Sequence, residues 1–168
     1  MHRLNQYIAL LVLLWFAGNS DPAAAGDIGQ AAPQFAAPDL SGAPIDTGKL
    51  RGKVVIIHFW ATWCPNCRTE MPLLDAFYIQ HRSQAVEVIG ITLDRLRTRD
   101  QVIEYMHAYH FPAAFVSDAT KNTFDTPGTL PVTYIIDKAG ILKSVLRPDT
   151  MPVTDKNLSE MVESLLKR

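Results

Sequence analysis

The sequence predicts an α/β domain with a central mixed β-sheet flanked by helices on both faces and an N-terminal strand or hairpin extension. Three observations carry this. Two nearly continuous apolar runs, Val54–Trp60 and Val86–Thr92, have the character of strands covered on both sides. Each is followed by a stretch with apolar residues at helical spacing. A third run, residues 131–136, meets the turn Asp137-Lys138-Ala139-Gly140 and comes back through residues 141–146, as a hairpin does. Strands alternating with helices, then a hairpin and a last helix, require a mixed sheet.

The elements follow in order. Residues 1–25 read as a signal peptide or membrane anchor. His2 and Arg3 give a basic start, residues 7–17 are apolar, and Ala23-Ala24-Ala25 offers a cleavage site before Gly26. The run is short against the roughly 20 apolar residues of a comfortable span. The remainder, 26–168, reads as one domain. Residues 26–52 are rich in Ala, Pro, Gly and Asp, with short strands or a hairpin expected around Phe35 and Ile45. From Pro65 to His81 the side chains of Met71, Leu74, Phe77 and Tyr78 share a helical face. Residues 99–110 read as a helix with Val102, Ile103, Met106 and Tyr109 inward, and 114–116 as a short strand. A loop is expected over 118–130, and a helix over 154–166 with Leu158, Met161, Val162 and Leu165 inward.

Charge narrows the function. Sixteen basic and 17 acidic residues leave a formal net charge of −1. Nucleic-acid binding needs a basic field that this balance does not supply.

The two cysteines, Cys64 and Cys67, are three positions apart. A disulfide closing so small a loop does little for folding, because the entropic gain grows with loop length. A structural zinc site takes four protein ligands, and there is no second cysteine pair. The pair reads as reactive. It sits where a buried strand gives way to a helix. Unpaired N–H groups and the dipole at a helix start favour an anion, so they would hold Cys64 as thiolate. Pro65 suits the first helical turn, where its missing donor costs nothing. Cys64 is therefore the candidate nucleophile, and Cys67, one turn in, the resolving thiol.

Glu70 lies three residues beyond Cys67 on the same helical face. It either exchanges a proton with the resolving thiol or simply complements the helix dipole. Pro72 should kink the helix. His58 shares a strand face with Trp60. It either tunes the cysteines or is a satisfied core imidazole, the latter being the default, as a capping or surface role is for His107 and His110. Leu130-Pro131 opens a strand, and a cis bond there would expose neighbouring backbone to an extended substrate.

These residues together resemble the TlpA/ResA-type branch of the thioredoxin superfamily. The likeness runs through Gly52-Lys53-Val54-Val55, then Phe59-Trp60-Ala61-Thr62-Trp63-Cys64-Pro65-Asn66-Cys67, then Glu70 and Pro72. It resumes at Pro131-Val132-Thr133-Tyr134-Ile135-Ile136-Asp137 and Gly140. The resemblance implies a thioredoxin-like fold with no cofactor beyond the Cys64–Cys67 disulfide, and a catalytic role for Glu70. It also implies substrate contacts at Trp63, Pro65, Leu130 and Pro131. It implies an extracytoplasmic, bacterial periplasmic reductase of specific protein disulfides, as in cytochrome c maturation or metal-centre assembly. A membrane thiol-transfer protein would recharge it, and the N-terminus would supply any tether.

Two departures stand out. His58 takes a position where thioredoxins carry a buried acid and many relatives carry Asn; an imidazolium there would raise the reduction potential. Thr129 stands two residues before Pro131, where Gly is common. The same chemistry run backwards, as an oxidase or isomerase, is the first alternative. A copper-binding module using Cys64, Cys67 and a histidine is the second, a purely structural adaptor the third, and a peroxidase is more distant.

Overall fold

The computed structural model describes residues 26–167. The expectations for residues 1–25 lie outside the described residues. Among the described residues no helix is long and apolar enough to cross a membrane.

The order of elements is β1 (Phe35–Pro38), β2 (Pro44–Asp46), β3 (Val54–Trp60), α1 (Pro65–His81), β4 (Val86–Thr92), α2 (Arg99–Met106), β5 (Ala113–Phe115), β6 (Lys121–Asn122), β7 (Val132–Ile136), β8 (Leu142–Leu146) and α3 (Asp155–Leu166). A five-stranded sheet has the order β5-β4-β3-β7-β8, and β2-β1-β6 forms a smaller one. β3, β4 and β5 run parallel, while β7 and β8 are antiparallel additions. The large sheet is thus mixed and flanked by helices, and β1–β2 is the expected hairpin extension.

The helical cover is one-sided. Along β3, Val54, Ile56 and Trp60 join a cluster containing Met71, Leu74 and Phe77 of α1, Val102 and Met106 of α2, and Leu158, Val162 and Leu165 of α3. The alternate residues Val55, Ile57 and Phe59 face Phe35, Ile45 and Phe124 instead. The expected mixed sheet flanked by helices is found, but α1–α3 cover one face and the small sheet, where a helix was expected, covers the other. Connection handedness explains this. β3, β4 and β5 step across the sheet in one direction, and right-handed crossovers then put α1 and α2 on the same side.

Three expectations shift in detail. α2 ends at Met106 rather than at 110, and beyond it the His110 backbone N–H donates to Asp75 Oδ1 at 2.6 Å. The short strand is Ala113–Phe115, one residue earlier than expected. The segment read as a plain loop contains β6, which pairs with Phe35 and Ala36. α1 continues through Pro72, which is exposed. α3 begins in a capping box: Asn157 N–H donates to Thr154 Oγ1 at 3.2 Å, and Thr154 N–H to Asn157 Oδ1 at 2.9 Å.

Candidate active site

β3 is buried at all seven positions and delivers the chain to the turn before α1. Cys64 is the N-cap of α1 and Pro65 sits in its first turn. Cys64 and Cys67 are joined as a disulfide, with Cα atoms 5.3 Å apart. The Cys67 backbone N–H donates to Cys64 Sγ at 3.1 Å. That is the helix-start donor that would hold a thiolate after reduction. Cys64 retains 4% exposure and Cys67 none. Around the pair, Trp63 and Pro65 are exposed and Leu130 is half-buried.

The Leu130–Pro131 peptide is cis. Phe59 pairs with Val132, which sets Pro131 opposite Trp60, at the end of β3 that leads to Cys64. Trp63, Pro65, Leu130 and Pro131 are thus gathered at one end of the sheet.

Glu70 is buried on α1, and the Val153 backbone N–H donates to its Oε1 at 3.4 Å. Loss of solvent pushes its carboxyl up to about 7, a rise that the Val153 N–H partly opposes. A group with that pKa can take up and return a proton near neutrality.

His58 is fully buried, and its Nδ1 lies 2.8 Å from Thr133 Oγ1 on the neighbouring strand. Nε2 has no hydrogen-bond partner among the described residues. Burial pulls the ring down to about 3, so it is neutral at physiological pH. With the Cys64–Cys67 disulfide formed, the ring is therefore not the imidazolium considered from sequence. His110 turns to Asp75, with Nδ1 2.9 Å from Oδ2. His107 is exposed beside Glu104. Among the described residues no group of three or more His, Cys, Asp and Glu is placed to hold a metal ion.

One residue escaped the sequence reading. Asp94, two positions past β4, is buried and clasps the turn before the cysteines. Its carboxylate accepts the Thr62 N–H at 2.7 Å, the Thr62 hydroxyl at 2.8 Å and the Thr92 hydroxyl at 2.7 Å. No local pattern marks it, since Thr62 is 32 residues away.

The AhpC/TSA family profile matches residues 28–145, well over half of the sequence. The chain belongs to the AhpC/TSA family. Within this AhpC/TSA membership, the similar proteins are named for thiol–disulfide chemistry. The chain is 35% identical to thiol-disulfide oxidoreductase ResA of Bacillus cereus, over 67% of this chain and 65% of that one. It is 31% identical to the ResA of Bacillus thuringiensis, over 84% of this chain and 78% of the relative. Its fold is similar to that of a thiol:disulfide interchange protein DsbE from Chlorobium tepidum, itself described as putative, with a TM-score of 0.70 at 22% identity. That match covers 84% of this chain and 99% of the other. This AhpC/TSA member is a thiol–disulfide oxidoreductase with a thioredoxin-like fold.

Proposed function

We propose that the chain is a reductase of specific protein disulfides outside the cytoplasm, with Cys64 as nucleophile and Cys67 as resolving thiol. The observation that carries the roles is the asymmetry of the pair: Cys64 caps the helix and keeps some exposure, while Cys67 is fully enclosed. Reduced Cys64 attacks one sulfur of the substrate disulfide and expels the other as thiolate. Cys67 then attacks Cys64 Sγ, which restores the Cys64–Cys67 disulfide and releases the second substrate thiol. Two electrons pass from the dithiol to the substrate. Glu70 accepts the Cys67 proton in the second step as a carboxylate, the form it holds in about half of the molecules near pH 7. Trp63, Pro65 and Leu130 form the surface against which the substrate segment lies, backed by the buried Pro131.

A neutral His58 supports the reducing direction, because no buried cation stands by to favour thiolate and raise the potential. The basic, apolar, then small-residue order of residues 1–25 supports export, with cleavage after Ala25 or retention as a tether. In a bacterial periplasm the oxidised form would be recharged by a membrane thiol-transfer protein. Cytochrome c maturation and metal-centre assembly are the settings that need such a reductase.

Trapping tests the roles. Reduced Cys67→Ser protein mixed with an oxidised protein substrate should form a covalent adduct that dithiothreitol releases. Cys64→Ser should form none. Capture by Cys64→Ser alone would reverse the assignment, and capture by neither would reject it.

A further inference from the structure

The loop that follows β4 leans on the active-site turn. The Leu93 N–H donates to the Trp60 carbonyl at 2.9 Å, and Asp94 clasps Thr62, two residues from Cys64. Directly beyond the clasp come Arg95, Leu96 and Arg97, all exposed. Leu96 is 47% and Trp63 66% exposed, and these are two of the few large apolar side chains given to solvent among the described residues. Both stand at the end of the parallel pair β3–β4, where Trp60 is in register with Thr92.

The arginines of this stretch differ in what they touch. Arg99 is committed internally, paired with Asp118 and lying 4.6 Å over the Phe115 ring. Arg95 and Arg97 have no ion-pair partner among the described residues. In a chain of net charge −1, two unpaired guanidinium groups flank an exposed leucine directly after Asp94, the residue that clasps the redox turn. Exposed charge beside a binding site acts chiefly on encounter rate and partner choice. Arg presents a fork that fits carboxylates.

We propose that Arg95-Leu96-Arg97 is a specificity arm that selects disulfides in acidic polypeptide segments. The arginines receive Asp or Glu side chains flanking the target cysteines, and Leu96 and Trp63 receive an apolar neighbour. Asp94 holds the arm in fixed relation to Cys64. The inference rests on the reading of Cys64 as the attacking thiol on a protein disulfide.

The test compares two synthetic disulfide peptides, identical around the cysteines but flanked by Glu in one and Lys in the other. Reduced full-length protein is mixed with each at low and high salt, and the rate constants are measured. The Glu peptide should react about tenfold faster at low salt, with the preference shrinking as salt screens the charges. The double variant R95E/R97E should reverse the preference. Equal rates for the two peptides, or a preference untouched by R95E/R97E, would overturn the arm. So would a double variant that lost binding to anionic phosphatidylglycerol vesicles while keeping its peptide preference, since the arginines would then serve a membrane surface. A neutral small disulfide, 2-hydroxyethyl disulfide, separates the two failures. If the wild-type protein reduces it but ignores peptide charge, only the arm falls. If it reduces none of the three disulfides, the reductase reading falls and the arm with it.

Discussion

The two faces of the large sheet are built from the same strands and have opposite characters. On the face covered by the small sheet, Phe59, Phe124 and Tyr134 pack edge to face, with centroids 5.0–5.8 Å apart, among aliphatic side chains. The helical side takes the buried polar groups His58, Thr92 and Thr133 from the strands and Glu70, Asp75 and His81 from α1. It also takes both cysteines. One face therefore supplies hydrophobic stabilisation with few polar obligations, and the other accepts desolvated titratable groups on the side that also holds the redox pair. Alternation along β3 makes the separation possible: Phe59 turns to the dry side, and its neighbours His58 and Trp60 turn to the reactive one.

That division can be broken at neutral pH in graded steps. The largest effect is expected from Phe59→Ala, which opens the aromatic trio and should cost about 3–5 kcal/mol in denaturant unfolding. Its reduction potential should match wild type; a shifted potential would show that the faces are coupled. Gly90→Ala comes next. A Cβ there would lie 2.9 Å from Trp60 Nε1 and 3.3 Å from the Phe111 ring, so overpacking of about 1–3 kcal/mol is expected. A wild-type melting curve for Gly90→Ala would mean that Trp60 yields without cost.

The titratable groups on the reactive face give smaller effects, which appear as slopes against pH. Glu70 has a native pKa of about 7 against an ordinary 4.5, so between those values the folded chain binds more protons than the unfolded one. Stability from this group declines as pH rises through 4.5–7, and Glu70→Gln should flatten the decline. In the same variant, the rate at which Cys67 resolves a mixed disulfide should lose its rise through pH 7. If that rise survives, the Glu70 carboxyl is only a structural acid. His58 has the opposite sign. Its native pKa of about 3 lies below 6.5, so the unfolded chain binds the extra proton and stability falls as pH drops from 6.5 toward 3. His58→Asn should change little at pH 7 and make the acid decline shallower. A decline as steep as wild type would put the acid sensitivity elsewhere.

Much of this was legible in the chain because it is local. Val54–Trp60 and Val86–Thr92 announce themselves as continuous apolar strands, and Pro65–His81 as a helix opened by Cys64-Pro65. The redox pair lies within one helical turn and needs no tertiary information. What stayed hidden depends on partners far along the chain. β6 is two exposed residues that become a strand only by pairing with β1, more than 80 residues earlier. The His110 N–H that a helix running to 110 would use internally goes instead to Asp75, on another helix. Asp94 with Thr62, Glu70 with Val153 and His58 with Thr133 join positions 32, 83 and 75 residues apart. The neutral state of His58 follows from burial, which sequence placed only as far as a strand face.

The most direct test of the account is the equilibrium reduction potential of the Cys64–Cys67 pair, measured against glutathione or thioredoxin couples at pH 7. A reductase with a neutral His58 should lie near or below thioredoxin, at about −270 mV. A value near that of the strong oxidants, about −120 mV, would contradict the account and make the chain a disulfide donor.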